Sequence, residues 1–234
     1  MTFPAEKSLC VVFFCTFWIF GDCQSGKARL LGKLKDYNKL LAPEGPEGGA
    51  VNVTHGMDLK RIISLDNQVL LLDTYLSLTW IDNQLVWDPD DFDGLELIRI
   101  PSEKLWQPDI MLENNADQFN GLHSGDINMV ITYDGMVFYT PPVKTASFCK
   151  VNYKNLKQGD VITCTLTFLS WTYDGDALNL MNLDDVISTG NLDKDFNTHW
   201  KFVTSNVKRD IQYDPCCVEP YVKIKYIIKL RYVP

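Results

Sequence analysis

The chain has 234 residues, 46% of them hydrophobic, and a formal net charge of −8. That apolar content can core one all-β domain of ordinary to large size, which excludes a disordered chain. The acidic balance disfavours nucleic-acid phosphate as a partner.

At the N-terminus Lys7 precedes the unbroken apolar run LCVVFFCTFWIF, Leu9 to Phe20, and then GDCQSG. A run of that length fits the apolar region of a secretory signal, whereas a bilayer span needs about 20 residues. Residues 1–23 therefore read as a leader and 24–234 as one secreted, extracellular domain, with cleavage on either side of Cys23 left open. No later segment is apolar for long enough to span a membrane, so no membrane partner is expected.

In KARLLGKLKDYNKLL, Lys27 to Leu41, the apolar residues Leu30, Leu31, Leu34, Tyr37, Leu40 and Leu41 recur near helical period. The spacing predicts one short amphipathic helix ending before the loop PEGPEGG. The sequon Asn52-Val53-Thr54 follows, a glycan site expected on a loop.

After the helix and its loop the rhythm becomes two. NQVLLLDTYLSLTW predicts a strand, and INMVITYDGMVFYTPP a hairpin whose turn is Asp134-Gly135. In VITCTLTFLSW, Ile162, Cys164, Leu166 and Phe168 form one face. In YVKIKYIIKLRY, Val222, Ile224, Tyr226, Ile228 and Leu230 alternate with lysines and Arg231. Both predict half-buried strands with one wet face. Turn signals along the rest suggest many antiparallel strands, and hence an all-β sandwich with an N-terminal α-helix.

In a secreted chain Cys149, Cys164, Cys216 and Cys217 imply two disulfides, with three pairings open. Enzymatic motifs are scarce: there is no HExxH, GxSxG or CxxC, and His55, His123 and His199 lie in unrelated contexts. GDCQSGKA approaches a phosphate-binding loop but ends in Ala28, where the motif needs a hydroxyl for the metal. The acidic run DPDDFD reads as a solvated face rather than a calcium site. Neither catalysis, nor a cofactor, nor a metal is expected.

The aromatics say more. Trp171 follows the Thr-rich strand, Tyr213 and Tyr221 flank the cysteine pair, and Trp171 and Tyr75 fall opposite the most apolar register of their strands. Clustered Trp and Tyr faces suit a quaternary or protonated amine, at about 0.5–2 kcal/mol per contact.

Several segments together carry a family resemblance: NQVL at Asn67, WQPDIML at Trp106 followed by NNAD, YTPP at Tyr139, Cys149 with Cys164, SWTYDG at Ser170 and CCVEPY at Cys216. In this order the chain resembles the extracellular ligand-binding domain of the nicotinic type of Cys-loop receptors. It most resembles the soluble, acetylcholine-binding members of that family.

The resemblance implies an immunoglobulin-like β-sandwich assembled as a ring homopentamer, with acetylcholine or a nicotine-like cation held between copies. On the principal face it assigns Trp171, Tyr213, Tyr221, Cys216, Cys217 and Glu113 to the ligand site, with Asp109 bracing the Trp171 loop. On the complementary face it assigns Tyr75, Val130, Phe138 and Thr140, with Asp184 or Asp185 on a nearby loop. It also pairs Cys149 with Cys164 and closes Cys216 on Cys217. That last pairing rests on the resemblance alone, since adjacent Cα atoms ~3.8 Å apart fall short of the usual ~4.4–6.8 Å.

Three departures stand out. Glu113 replaces the usual Tyr, Pro215 is inserted before the cysteine pair, and the Cys149–Cys164 loop is one residue longer with a polar tip, YKNLKQGD. A carboxylate at 113 keeps attraction for a cation without the π face. The polar tip suits a loop with no membrane domain to press against.

Overall fold

A computed structural model describes residues 24–117, 127–196, 198–213, 215 and 217–234. The expected leader, with Cys10, Cys15 and Cys23, lies outside the described residues, as do His123 and Cys216.

The chain opens with helix α1, Gly26–Lys33, capped by Ser25, whose Oγ accepts from Ala28 N at 3.3 Å. Gly26 is obligatory here, because a Cβ would lie 2.2 Å from the Phe92 carbonyl oxygen. The helix is shorter than its periodicity predicts. After Lys33 the backbone makes one 3₁₀ turn, Leu34–Asp36, and turns extended at Tyr37. Tyr37 is drawn away by its hydroxyl, which donates to Asp82 Oδ2 at 2.8 Å and accepts from Trp106 N at 2.9 Å. Leu40 and Leu41 are left 83% and 57% exposed.

Strands β1 (Val51–Asp66), β2 (Val69–Val86), β3 (Leu97–Pro101), β4 (Ile110–Leu112), β5 (Asn128–Thr132) and β6 (Asp134–Tyr139) follow. After them come β7 (Pro142–Phe148), β8 (Val161–Ser170), β9 (Leu178–Asn182), β10 (Trp200–Tyr213) and β11 (Pro220–Tyr232). Among the described residues they form two sheets. One runs β3-β5-β6-β2-β1-β9, with β7 also on β2; the other runs β10-β11-β8-β4. One apolar cluster joins the two, so the fold is the β-sandwich expected, with its short N-terminal helix.

Alternation explains the clearest elements. Every residue of the series Val222, Ile224, Tyr226, Ile228 and Leu230 is buried, as are Cys164, Leu166 and Phe168. The β5–β6 hairpin forms as predicted, with Gly135 at φ +82° and Thr132 Oγ1 donating to Asp134 Oδ1 at 2.5 Å. The β1–β2 turn places both Asn67 and Gln68 at positive φ, so the strand predicted from Asn67 begins at Val69.

β1 is a long strand in which bulges at Lys60 and Ile63 break the alternation. The strand pairs are antiparallel as expected except β1 and β9, which are parallel because the chain crosses from the β8 sheet to the other sheet instead of turning back in a hairpin. One expectation needs correction: Asn52 lies within β1 and not on a loop. It faces Asn179 in the ladder, and its Oδ1 accepts from Asn179 Nδ2 at 2.7 Å.

Between the sheets His55 is fully buried, its ring 4.7 Å from Phe168. The Tyr226 hydroxyl lies 2.6 Å from His55 Nδ1 and donates to the His55 carbonyl oxygen at 3.0 Å. Nδ1–H then donates to the hydroxyl, and Nε2 has no partner. Burial pushes the His55 pKa down to about 3 and that of Tyr226 above its ordinary value.

A folded-state pKa below the unfolded value of about 6.5 means that the unfolded chain binds the extra proton. Stability from neutral His55 is complete above about pH 6.5 and is lost as pH falls toward 3, at a slope of about 1.4 kcal/mol per pH unit. We expect urea midpoints of His55→Gln to fall less steeply than wild type between pH 6.5 and 4. Parallel pH profiles would contradict this.

Candidate functional site

The residues assigned to the principal face gather at one end of the four-stranded sheet. Ile110 pairs with Ser170, Lys223 with Leu169, Gln212 with Tyr221 and Tyr213 with Pro220. The end of β8 therefore sits between the start of β4 and the β10–β11 hairpin. Gly175 N donates to Pro220 O at 2.6 Å, tying the loop after β8 to that hairpin.

Asp109 organises the loop. Its Oδ1 accepts from Ser170 Oγ at 2.5 Å, and its Oδ2 accepts from Thr172 N at 2.7 Å and Thr172 Oγ1 at 2.6 Å. Its carbonyl takes Trp171 N at 3.2 Å. Ser170 Oγ in turn accepts from Tyr173 N at 2.9 Å. Tyr173 meets Trp106 edge to face, and Trp106 meets the buried Trp80 in the same way. The residues either side of Trp171 are anchored, yet the Trp171 side chain is largely in solvent, with the residue 63% exposed.

Tyr213, at the end of β10, is 68% exposed, whereas Tyr221 on β11 is half-buried. Cys217 is partly exposed. Its expected ring with Cys216 involves a residue outside those described, and so does any shift that Pro215 imposes through Asp214. Cys149 and Cys164 are joined, with Cα atoms 5.1 Å apart. The polar loop they close docks on the β1–β2 turn, where the Tyr153 hydroxyl donates to Leu65 O at 3.2 Å and accepts from Gln68 N at 3.4 Å.

Glu113 lies just past β4 and is not alone. Its carboxylate is matched by Lys223, whose Nζ lies 2.5 Å from Glu113 Oε1 across β8. Next along the hairpin Lys225 pairs with Asp210 and, by that hydrogen bond first, holds its carboxyl below the usual carboxylate range. Two carboxylates at this end of the sheet, those of Glu113 and Asp210, are thus each met by a lysine of β11.

The complementary-face residues lie on the other sheet, and all point outward. Tyr75 stands between buried Thr74 and Leu76, Val130 between buried Met129 and Ile131, and Phe138 between buried Val137 and Tyr139. Val130, Phe138 and Thr79 form one row across β5, β6 and β2, with Phe138 40% exposed. Thr140 is exposed just past β6. The Tyr75 ring is covered from one side by Lys60 Nζ, 4.5 Å from its centroid. Asp184 and Asp185 are exposed after β9, and the Asp185 carbonyl accepts from Val207 N of β10 at 2.7 Å.

Two principal participants, Lys60 and Lys223, escape a sequence reading because each looks like an ordinary wet-face lysine. Only strand register puts one over a ring and the other on a carboxylate.

This chain belongs to the family of the neurotransmitter-gated ion-channel ligand binding domain, which it matches over residues 27–233. It is 33% identical over 200 residues to the neuronal acetylcholine receptor subunit alpha-5 of Bos taurus, covering 83% of this chain and 40% of that subunit. It is 34% identical over 235 residues to the alpha-9-I subunit of Oncorhynchus mykiss, covering 96% of this chain and 40% of that subunit. An acetylcholine receptor subunit alpha-like 2 of Drosophila melanogaster is 32% identical over 208 residues, covering 85% of this chain and 36% of that subunit. The chain spans about two fifths of these relatives. Among its described residues, no helix is long and apolar enough to cross a membrane.

The Asp109 clamp can be measured directly. Removing the acceptor strands the partly buried Ser170 hydroxyl, while the two Thr172 donors are exposed to water. We expect Asp109→Ala to lower unfolding stability by about 1–2 kcal/mol in urea, and Asp109→Asn, which keeps one carbonyl acceptor, by less. Equal midpoints for all three proteins would show that the clamp contributes nothing.

Proposed function

We propose that this chain is a secreted protein that binds acetylcholine or a related cationic amine between copies of itself, with neither channel nor catalytic activity. The observation that carries the reading is Trp171, an exposed indole on an anchored loop at the end of the sheet that also carries an exposed Tyr213. Large aromatic surface left in water at a rigid position marks a binding face.

The ligand cation would meet the faces of Trp171, Tyr213 and Tyr221, with the β10–β11 hairpin and its Cys216–Cys217 tip folding over it. A neighbouring copy would supply Tyr75, Val130, Phe138 and Thr140. That division fits a single chain whose two sets lie on different sheets, and the family supports a homopentamer with five such interfaces. The membrane-free reading is supported by the polar loop Tyr153–Asp160, whose Tyr153 docks on its own subunit.

A second reading is the extracellular part of a channel subunit, favoured by relatives that are receptor subunits more than twice as long. The transcript downstream of the Pro234 codon separates the two.

Trp171→Ala should abolish acetylcholine binding in calorimetry while the mass of the assembly in solution stays that of wild type. Unchanged affinity would remove Trp171, and with it this site, from the proposal.

A further inference from the structure

Tyr75 already carries a cation, and the backbone puts it there. In the β1–β2 ladder Leu59 opposes Thr74 and Arg61 opposes Asp73, so Lys60 is the extra residue of a bulge. The bulge shifts the phase of β1 after Lys60, so that neither Lys60 nor Arg61 is buried. Leu59 stays buried, and Lys60, next in the alternation, leaves on the outward face that bears Tyr75, its Nζ 4.5 Å from the ring centroid.

Neighbouring charges hold this geometry. Asp73 Oδ2 lies 3.6 Å from Lys60 Nζ and 3.1 Å from Arg61 Nη1, and Arg61 Nε reaches Asp193 Oδ2 at 3.1 Å. Asp193 N closes the arrangement by donating to the Lys60 carbonyl at 2.8 Å. The Lys60 side chain is only 23% exposed, so its ammonium is partly desolvated between a carboxylate and a ring. Both conditions strengthen its attraction to the π face.

We propose that Lys60 is a tethered competitor at the amine site, its ammonium occupying the face of Tyr75 that a ligand cation would take. The inference rests on the amine-binding reading and deepens it. A compact quaternary ammonium ligand must either share the ring with a like charge or displace Lys60 toward Asp73. Either route weakens cationic ligands selectively and leaves the fit of an uncharged ligand of the same shape unchanged. The site therefore favours ligands whose affinity comes from shape and apolar contact over those that depend on charge.

The test titrates acetylcholine, and separately its uncharged isostere 3,3-dimethylbutyl acetate, into the full chain and three variants by calorimetry. Lys60→Met keeps the stem and removes the charge; Lys60→Arg keeps the charge. We expect Lys60→Met to bind acetylcholine about twofold to thirtyfold tighter, the range of an exposed to a desolvated cation–ring contact. Its affinity for the isostere should not change, and Lys60→Arg should bind acetylcholine like wild type.

Unchanged acetylcholine affinity in Lys60→Met, while Trp171→Ala still abolishes binding, would overturn the competitor and leave the amine site standing. An equal gain for both ligands would overturn it too, as simple opening of space. Acetylcholine binding by neither wild type nor Lys60→Met would overturn both proposals.

A ligand-free measurement guards against a misfolded variant. In NMR spectra of reductively methylated protein, the Lys60 signal should be shifted by the ring and should lose that shift in Tyr75→Leu. A Lys60 signal that is the same in both proteins would sink the proposal by itself.

Discussion

Asp109 accepts hydrogen bonds from the hydroxyl of Ser170 and from both the backbone and the hydroxyl of Thr172, and so grips the residues on either side of Trp171. An indole gains free energy by leaving water, so a loop bearing one would be expected to fold inward unless its backbone were committed elsewhere. The carboxylate supplies that commitment. Its bonds are charge-assisted and fix the backbone at the end of β8. The β11–β8 ladder and the Gly175 to Pro220 contact then bring the β10–β11 hairpin alongside that loop.

Charge around the two faces follows a common pattern. On β11 Lys223 neutralises Glu113, and in the β1 bulge Lys60 covers Tyr75. Two places where a ligand cation could be drawn in are met by the chain's own ammonium groups. The side chains of Trp171 and Tyr213 stay exposed.

Some elements are easy to read from sequence because one physical rule dominates them. β8 and β11 each bury one face and wet the other, and the alternation is nearly unbroken. The β5–β6 turn needs a positive φ, and Gly135 offers it. β1 and β10 are harder for opposite reasons. In β1 two bulges shift the phase of the pattern, and in β10 an edge position leaves so little burial that there is almost no pattern to see. The helix shows a third kind of failure. Its apolar period continues to Leu41, but a hydroxyl contact at Tyr37 outweighs the small gain from more helical turns.

By itself the sequence determined the sandwich class, the turn at Asp134-Gly135 and the aromatic and cysteine segments whose order marks the family. These depend on local preference and periodicity, which are written along the chain. Only the tertiary structure decided that Asp109 clamps both neighbours of Trp171, that Glu113 is charge-matched, that Asn52 sits in a ladder and that Lys60 lies over Tyr75. Each of those joins residues on different strands through register. A single bulge changes register by one residue, and no local pattern reveals which side chain it will turn toward which ring.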